Sequence, residues 1–220
     1  MFVMDTQSSR LMTIYRKLYY RYGPQHWWPG DTPFEVMVGA ILTQNTSWNN
    51  VEKAITNLKP YLKPQVLYNM EDKKLAQLIR PSGFFNIKTK RLKNFLKWFK
   101  KKDFSLETLK ALDAYDIRKE LLGIKGIGRE TADSIILYAL NIPIFVIDAY
   151  TKRMFNRLGF SLPDSYDDIQ RFFQANLPKE VQLYNEYHAL IVRHCKECCK
   201  KRPLCDVCCL KADCQKNEMP

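Results

Sequence analysis

The chain has 220 residues and a mass of 26.0 kDa, enough to bury one large core or two small ones. Its apolar fraction of 46% is ordinary for a folded soluble protein, and no apolar run approaches the ~20 residues that span a bilayer, which excludes a helical membrane protein. A formal net charge of +12 points to a phosphate polymer as partner, the alternative being a basic protein with no such partner. Helical periodicity then dominates in chain order, with apolar residues at three- and four-residue intervals in FEVMVGAILTQ, DKKLAQLIR, KTKRLKNFLKWF, ETADSIILYAL and SYDDIQRFFQANL. Pro29-Gly30, Pro60, Pro64, Pro81-Ser82-Gly83, Pro143, Pro163 and Pro178 punctuate them. IPIFVI is the one stretch open to misreading as a strand. These patterns predict an all-α protein of about ten helices. Basic residues concentrate in IKTKRLKNFLKWFKKK and near the C-terminus, which favours nucleic acid over a diffuse charge excess.

The segment DIRKELLGIKGIGRETADSIILYAL reads as helix, tight turn, helix. Gly126-Ile127-Gly128 brings two residues that tolerate positive φ and lack a Cβ, so the backbone can approach another molecule closely. Amides there, with the start of the next helix behind them, form an anion site suited to a DNA phosphate; Ile127 is expected to turn into the core. A purely structural corner is the plainer reading of the same residues. Asp148 follows IPIFVI and precedes AYTKRMFNRLGF, where it can cap the helix that begins there. A carboxylate placed after a phosphate-gripping hairpin can also act on the glycosidic bond of a bound nucleotide.

All seven cysteines lie in HCKECCKKRPLCDVCCLKADC. Cys198, Cys205, Cys208 and Cys214 form a C-x6-C-x2-C-x5-C run suited to an iron–sulfur cluster. Zinc is the main competing reading and disulfides the second, the latter disfavoured because MFVMDTQSSR does not resemble a signal peptide and a reducing cytoplasm is expected. Cys195, Cys199 and Cys209 are left as spectators. Lys196, Lys200, Lys201, Arg202 and Lys211 surround the ligands with positive charge.

At these residues the chain resembles the helix–hairpin–helix DNA glycosylase superfamily, in its endonuclease III branch. LLGIKGIGRETA matches the hairpin, VIDAYTKRMFNRLGF the catalytic-aspartate segment and the cysteine run the cluster loop. FEVMVGAILTQNTSWNNV places Gln44 at the family's helix-plugging position, and RPSGFFNIKTKRL resembles the next loop. The resemblance implies two all-helical domains flanking a DNA groove. One is a six-helix barrel over 25–141 with the hairpin; the other joins 1–24 to 142–220 and carries a 4Fe-4S cluster at 198–214. It implies DNA contacts from Lys125, Gly126, Ile127, Gly128 and Arg129, catalysis by Asp148, and a cytoplasmic, nucleoid-associated monomer acting on double-stranded DNA with a damaged base.

One position departs from endonuclease III. Its bifunctional members have a lysine two residues after the second hairpin glycine, and here that residue is Glu130. A carboxylate forms no imine, so a monofunctional glycosylase is expected, with Glu130 raising the pKa of Asp148. Lys125 and Lys152 do not occupy the matching position. Trp27-Trp28-Pro29 and Leu42–Thr46 resemble the WWP and LTQNT motifs of the 3-methyladenine subgroup, with Trp48 stacking on the flipped base. The alternatives are a bifunctional enzyme for oxidised pyrimidines, a non-catalytic damage-binding protein and, least of all, a ferredoxin-like electron carrier.

Overall fold

The computed structural model describes residues 6–215. Among them the chain forms twelve α-helices and no strand, so the protein is all-α. The chain divides into two compact units, a central one over 29–142 and a terminal one built from the described residues on either side of it.

The terminal unit begins with α1 (Thr6–Tyr22). The central unit follows with α2 (Pro33–Leu42), α3 (Trp48–Leu58), α4 (Pro64–Asn69), α5 (Asp72–Leu78) and α6 (Phe85–Lys100). Then come α7 (Leu106–Lys110), α8 (Ala114–Leu122) and α9 (Arg129–Ser134). Its centre is α2, whose residues Phe34 to Leu42 are all buried. A helix apolar on every side belongs inside a core, and α2 packs against α3, α6 and α9. Pro33 occupies its first turn, and the Thr32 hydroxyl accepts the Glu35 amide at 3.2 Å, so T-P-F-E sets the start.

ETADSIILYAL does not run as one regular helix. α9 passes into a π-helical turn, Ile135–Ala139, all of it buried and packed against α2. Packing on the central helix overrides the local period.

The chain returns to the terminal unit with α10 (Ala149–Arg157), α11 (Tyr166–Asn176) and α12 (Val181–Glu197). The core there is aromatic: Phe145 stacks on Phe173 at 4.6 Å, and Phe155 and Tyr187 close around them. IPIFVI forms no strand and carries no regular secondary structure. Instead Gln174 Oε1 accepts the Phe145 amide at 2.9 Å and Gln170 Nε2 donates to the Phe145 carbonyl at 2.7 Å, so side chains of α11 satisfy a buried backbone.

Candidate functional site

In the central unit the hairpin joins α8 to α9. Arg118 of α8 grips the fully buried Asp133 of α9 through Nε at 2.7 Å and Nη2 at 3.2 Å, a two-point ion pair that sets the two helices against each other. Ile127 is 5% exposed and turns inward, as expected. The two glycines do different things. Gly126 has φ +101°, and a Cβ there would meet Arg91 Cγ at 2.3 Å. Gly128 has φ −93° and caps α9 in extended conformation, with open space where a Cβ would be. Only Gly126 therefore needs the left-handed freedom expected of both. Gly128 leaves room for an approaching group. Lys125, Arg129 and Glu130 are exposed.

Three separated motifs converge on this turn. Gln44 Nε2 donates to the Gly126 carbonyl and to Thr131 Oγ1, each at 3.0 Å, while its Oε1 accepts from Arg91. Asn94 donates to the Lys125 carbonyl at 3.0 Å. Gln44 is thus a strut between the α2–α3 loop, α6 and the hairpin. One turn earlier on α6, Lys88 is 1% exposed and donates to the Leu42 carbonyl at 2.8 Å and the Ser82 carbonyl at 2.6 Å. That ties the end of α2 to the RPSGFF loop.

The basic run on α6 is consequently not all a nucleic-acid face. Lys88 and Lys93 turn inward onto carbonyls, the latter onto Leu67, Tyr68 and Met70, and Lys102 pairs with Glu120. Burial, with Arg91 nearby, pushes the Lys88 pKa down to about 8. A depressed lysine makes the unfolded chain hold more protons between that value and the ordinary one, so Lys88 makes stability rise with pH from about 8 to ~10.4. Lys88→Met is expected to flatten that rise in denaturant titrations and to cost about 1–3 kcal/mol at neutral pH, because two buried carbonyls lose their donor. Equal slopes in both proteins refute it.

Sequence reasoning missed Phe84. It follows Gly83 at the start of α6, has φ +45° and is 65% exposed, with Ile87 beside it at 51%. An exposed aromatic in left-handed backbone is a conformation that bulky residues rarely adopt. The only signal in the sequence was the G-F-F triplet. Trp48 opens α3 and is half-buried, as are Trp27 and Trp28, which pack edge to face at 5.5 Å in the terminal unit; Pro29 is exposed.

In the terminal unit Asp148 caps α10. Its Oδ1 accepts the Thr151 amide at 2.7 Å and the Thr151 hydroxyl at 2.9 Å, and its Oδ2 faces His188 Nε2 of α12 at 3.5 Å. The side chains of Asp148 and His188 are 11% and 6% exposed. Burial opposes the carboxylate's charge, but the contacts from His188 and Thr151 outweigh it and hold the pKa below the ordinary carboxylate value. That is the reverse of the upward shift expected from Glu130. The sequence offered no spacing that linked His188 to Asp148.

α10 and α12 also bind the cysteine loop. Arg157, at the end of α10, donates to the carbonyls of Lys200 at 2.6 Å and Lys201 at 3.1 Å; Arg153 reaches that of Cys199 at 3.0 Å. The helix that Asp148 caps is therefore clamped to the loop. Donor atoms of Cys198, Cys208 and His194 all lie within 4.8 Å of one another. Cys205 and Cys214 are outside that group, Cys214 Sγ donating to the Arg157 carbonyl at 3.3 Å. Two thiols and an imidazole thus make a soft donor group that could hold a metal, with two short 3-10 turns, Cys205–Val207 and Lys211–Asp213, setting the spacing of the cysteines that follow Cys198.

The hairpin, with its two helices held by the Arg118–Asp133 ion pair, and the capped, buried Asp148 carboxylate stand on an all-α frame. The family model for the HhH-GPD superfamily of base excision DNA repair proteins matches residues 38–179, and the chain belongs to that superfamily. It is an endonuclease III-like DNA repair glycosylase. A protein of Methanocaldococcus jannaschii provisionally named a DNA repair glycosylase is 52% identical over 96% of this chain and 98% of its own. Endonuclease III of Sulfolobus acidocaldarius is 29% identical over 83% of this chain and 81% of its own. The Helicobacter pylori 3-methyladenine DNA glycosylase MagIII, solved bound to 1,N6-ethenoadenine, superposes with TM-score 0.74 at 32% identity, covering 87% of this chain and 97% of that one. An endonuclease III–DNA complex superposes with TM-score 0.81 at 20% identity over 96% of each chain, a likeness of fold.

Proposed function

We propose that the protein is a monofunctional DNA N-glycosylase that removes alkylated purines such as 3-methyladenine. The observation that carries this reading is Asp148, a carboxylate held ionised and oriented by Thr151 and His188. Breaking the C–N glycosidic bond leaves positive charge on the sugar, and a fixed carboxylate stabilises that charge. A water adds its oxygen to the anomeric carbon, the base leaves with the bond's electron pair, and Asp148 orients the water and receives its proton. The products are the free base and an abasic site. The duplex is held at the hairpin, where the amides around Gly128 meet a phosphate. Phe84 is an apolar wedge suited to the gap left in the stack.

Glu130 supplies no amine at the lyase position. Lys88 does not replace one: it is buried and committed to two carbonyls. The substrate class is supported by the Trp27, Trp28 and Trp48 indoles, whose faces attract a cationic methylated base by roughly 0.5–2 kcal/mol, and by the likeness to MagIII. Cys198, Cys205, Cys208 and Cys214 are the residues to hold a 4Fe-4S cluster. When bound, that group ties the four cysteines to one centre and adds a redox-active site. The chain's own part is to clamp the loop to α10 through Arg153 and Arg157.

Duplexes with 3-methyladenine and with thymine glycol, each incubated with and without borohydride, test the reading. Release of methylated base with no trapped covalent complex is expected. A trapped complex, or scission at thymine glycol, instead establishes a lysine nucleophile and the bifunctional alternative.

A further inference from the structure

One buried side chain at the cysteine loop is used neither by the C-x6-C-x2-C-x5-C set nor by the proposed reaction. His194 lies one turn before Cys198 on α12 and is 1% exposed. Its Nε2 is 3.6 Å from Cys208 Sγ, and its Nδ1 is 2.9 Å from the Tyr22 hydroxyl of α1. A neutral imidazole has one donor nitrogen and one acceptor. With the Tyr22 hydroxyl as donor to Nδ1, the ring proton sits on Nε2, aimed at the Cys208 sulfur. Four cysteines complete the ligand set of a four-iron cluster, so His194 belongs to the layer behind the ligands.

We propose that His194 is a hydrogen-bond donor to the Cys208 sulfur, fixed in its tautomer by Tyr22, and that this contact raises the reduction potential of the cluster. The proposal rests on the four-cysteine reading of the loop. The physical reason is electrostatic. Reduction adds one electron to the cluster and its thiolates, breaks no bond and takes up no proton. An N–H dipole directed at one of those sulfurs stabilises the added negative charge, and hydrogen bonds to the sulfurs are among the terms that set such potentials.

The full chain, reconstituted anaerobically with ferrous iron and sulfide, is assayed for both elements and titrated potentiometrically beside His194→Leu, His194→Gln and Tyr22→Phe. About four iron and four sulfide per wild-type chain are expected for the cluster; a lower content overturns the four-cysteine reading and the proposal with it. Loss of the donor in His194→Leu is expected to shift the couple to more negative potential by a tenfold change in its equilibrium constant, ~59 mV for one electron. His194→Gln, which returns an N–H to the same place, is expected to restore most of that shift. A fully loaded His194→Leu protein with the wild-type potential overturns the donor role and leaves the cluster reading standing. Failure of a folded His194→Leu protein to hold iron makes His194 a ligand, which also overturns it. If leucine at this position prevents folding, Tyr22→Phe decides: a shift in the same direction supports the tautomer relay, and an unchanged potential refutes it.

Discussion

Asp148→Asn is expected to slow base release by about 10²–10⁴-fold while leaving the protein folded and bound to DNA. Asparagine caps a helix about as well as aspartate, so its carbonyl oxygen continues to accept from the Thr151 amide and hydroxyl. What disappears is the negative charge, with the group that faces His188. Single-turnover release, read beside the thermal midpoint and a binding titration at fixed salt, separates these effects. Release within tenfold of wild type reduces Asp148 to a helix cap. The pH dependence follows from the sign of the shift. Because the folded carboxylate titrates below its ordinary value, its contribution to stability is present above ~3.9 and is lost as pH falls through the folded value. Activity that depends on this group therefore stays flat through the neutral range.

The hairpin glycines give the second large effect, and they are expected to diverge. Gly126→Ala places a Cβ 2.3 Å from Arg91 Cγ in a backbone at φ +101°. The contact is with the near end of the arginine stem, so the side chain cannot swing clear. Displaced Arg91 also releases Gln44, and the strut on the hairpin goes with it. A loss of about 1–3 kcal/mol in denaturant unfolding is expected, with weakened DNA binding. Gly128→Ala meets nothing within 4 Å and has φ −93°. Stability is expected to change by under about 1 kcal/mol, the scale of a cap substitution, while DNA affinity falls because the new methyl occupies the approach to a phosphate. Equal stabilities for the two variants contradict the division of labour; undiminished affinity in Gly128→Ala removes the phosphate site.

Local pattern made much of the molecule legible. FEVMVGAILTQ, KTKRLKNFLKWF and SYDDIQRFFQANL carry their helical period in the residues themselves, and each is a helix. Asp148 before AYTKRMF is a cap by its type and place, and it caps α10. ETADSIILYAL was legible only in part, since its second half winds as a π turn against α2. The basic stretch at 87–102 misled in one respect: charge in a sequence does not show which lysines reach solvent, and Lys88, Lys93 and Lys102 are spent on carbonyls or Glu120.

The sequence by itself determined the all-α class, the hairpin, the aspartate cap and the cysteine spacing, because each is a short-range relation among residue types. Only the tertiary structure decided what those motifs touch. Gln44 reaches Gly126 and Thr131 across 82 and 87 residues, Asp148 meets His188 from another helix, and Tyr22 meets His194 across 172. No local period encodes such contacts. They arise when apolar faces bury one another and the polar groups carried in with them must find partners where packing leaves them.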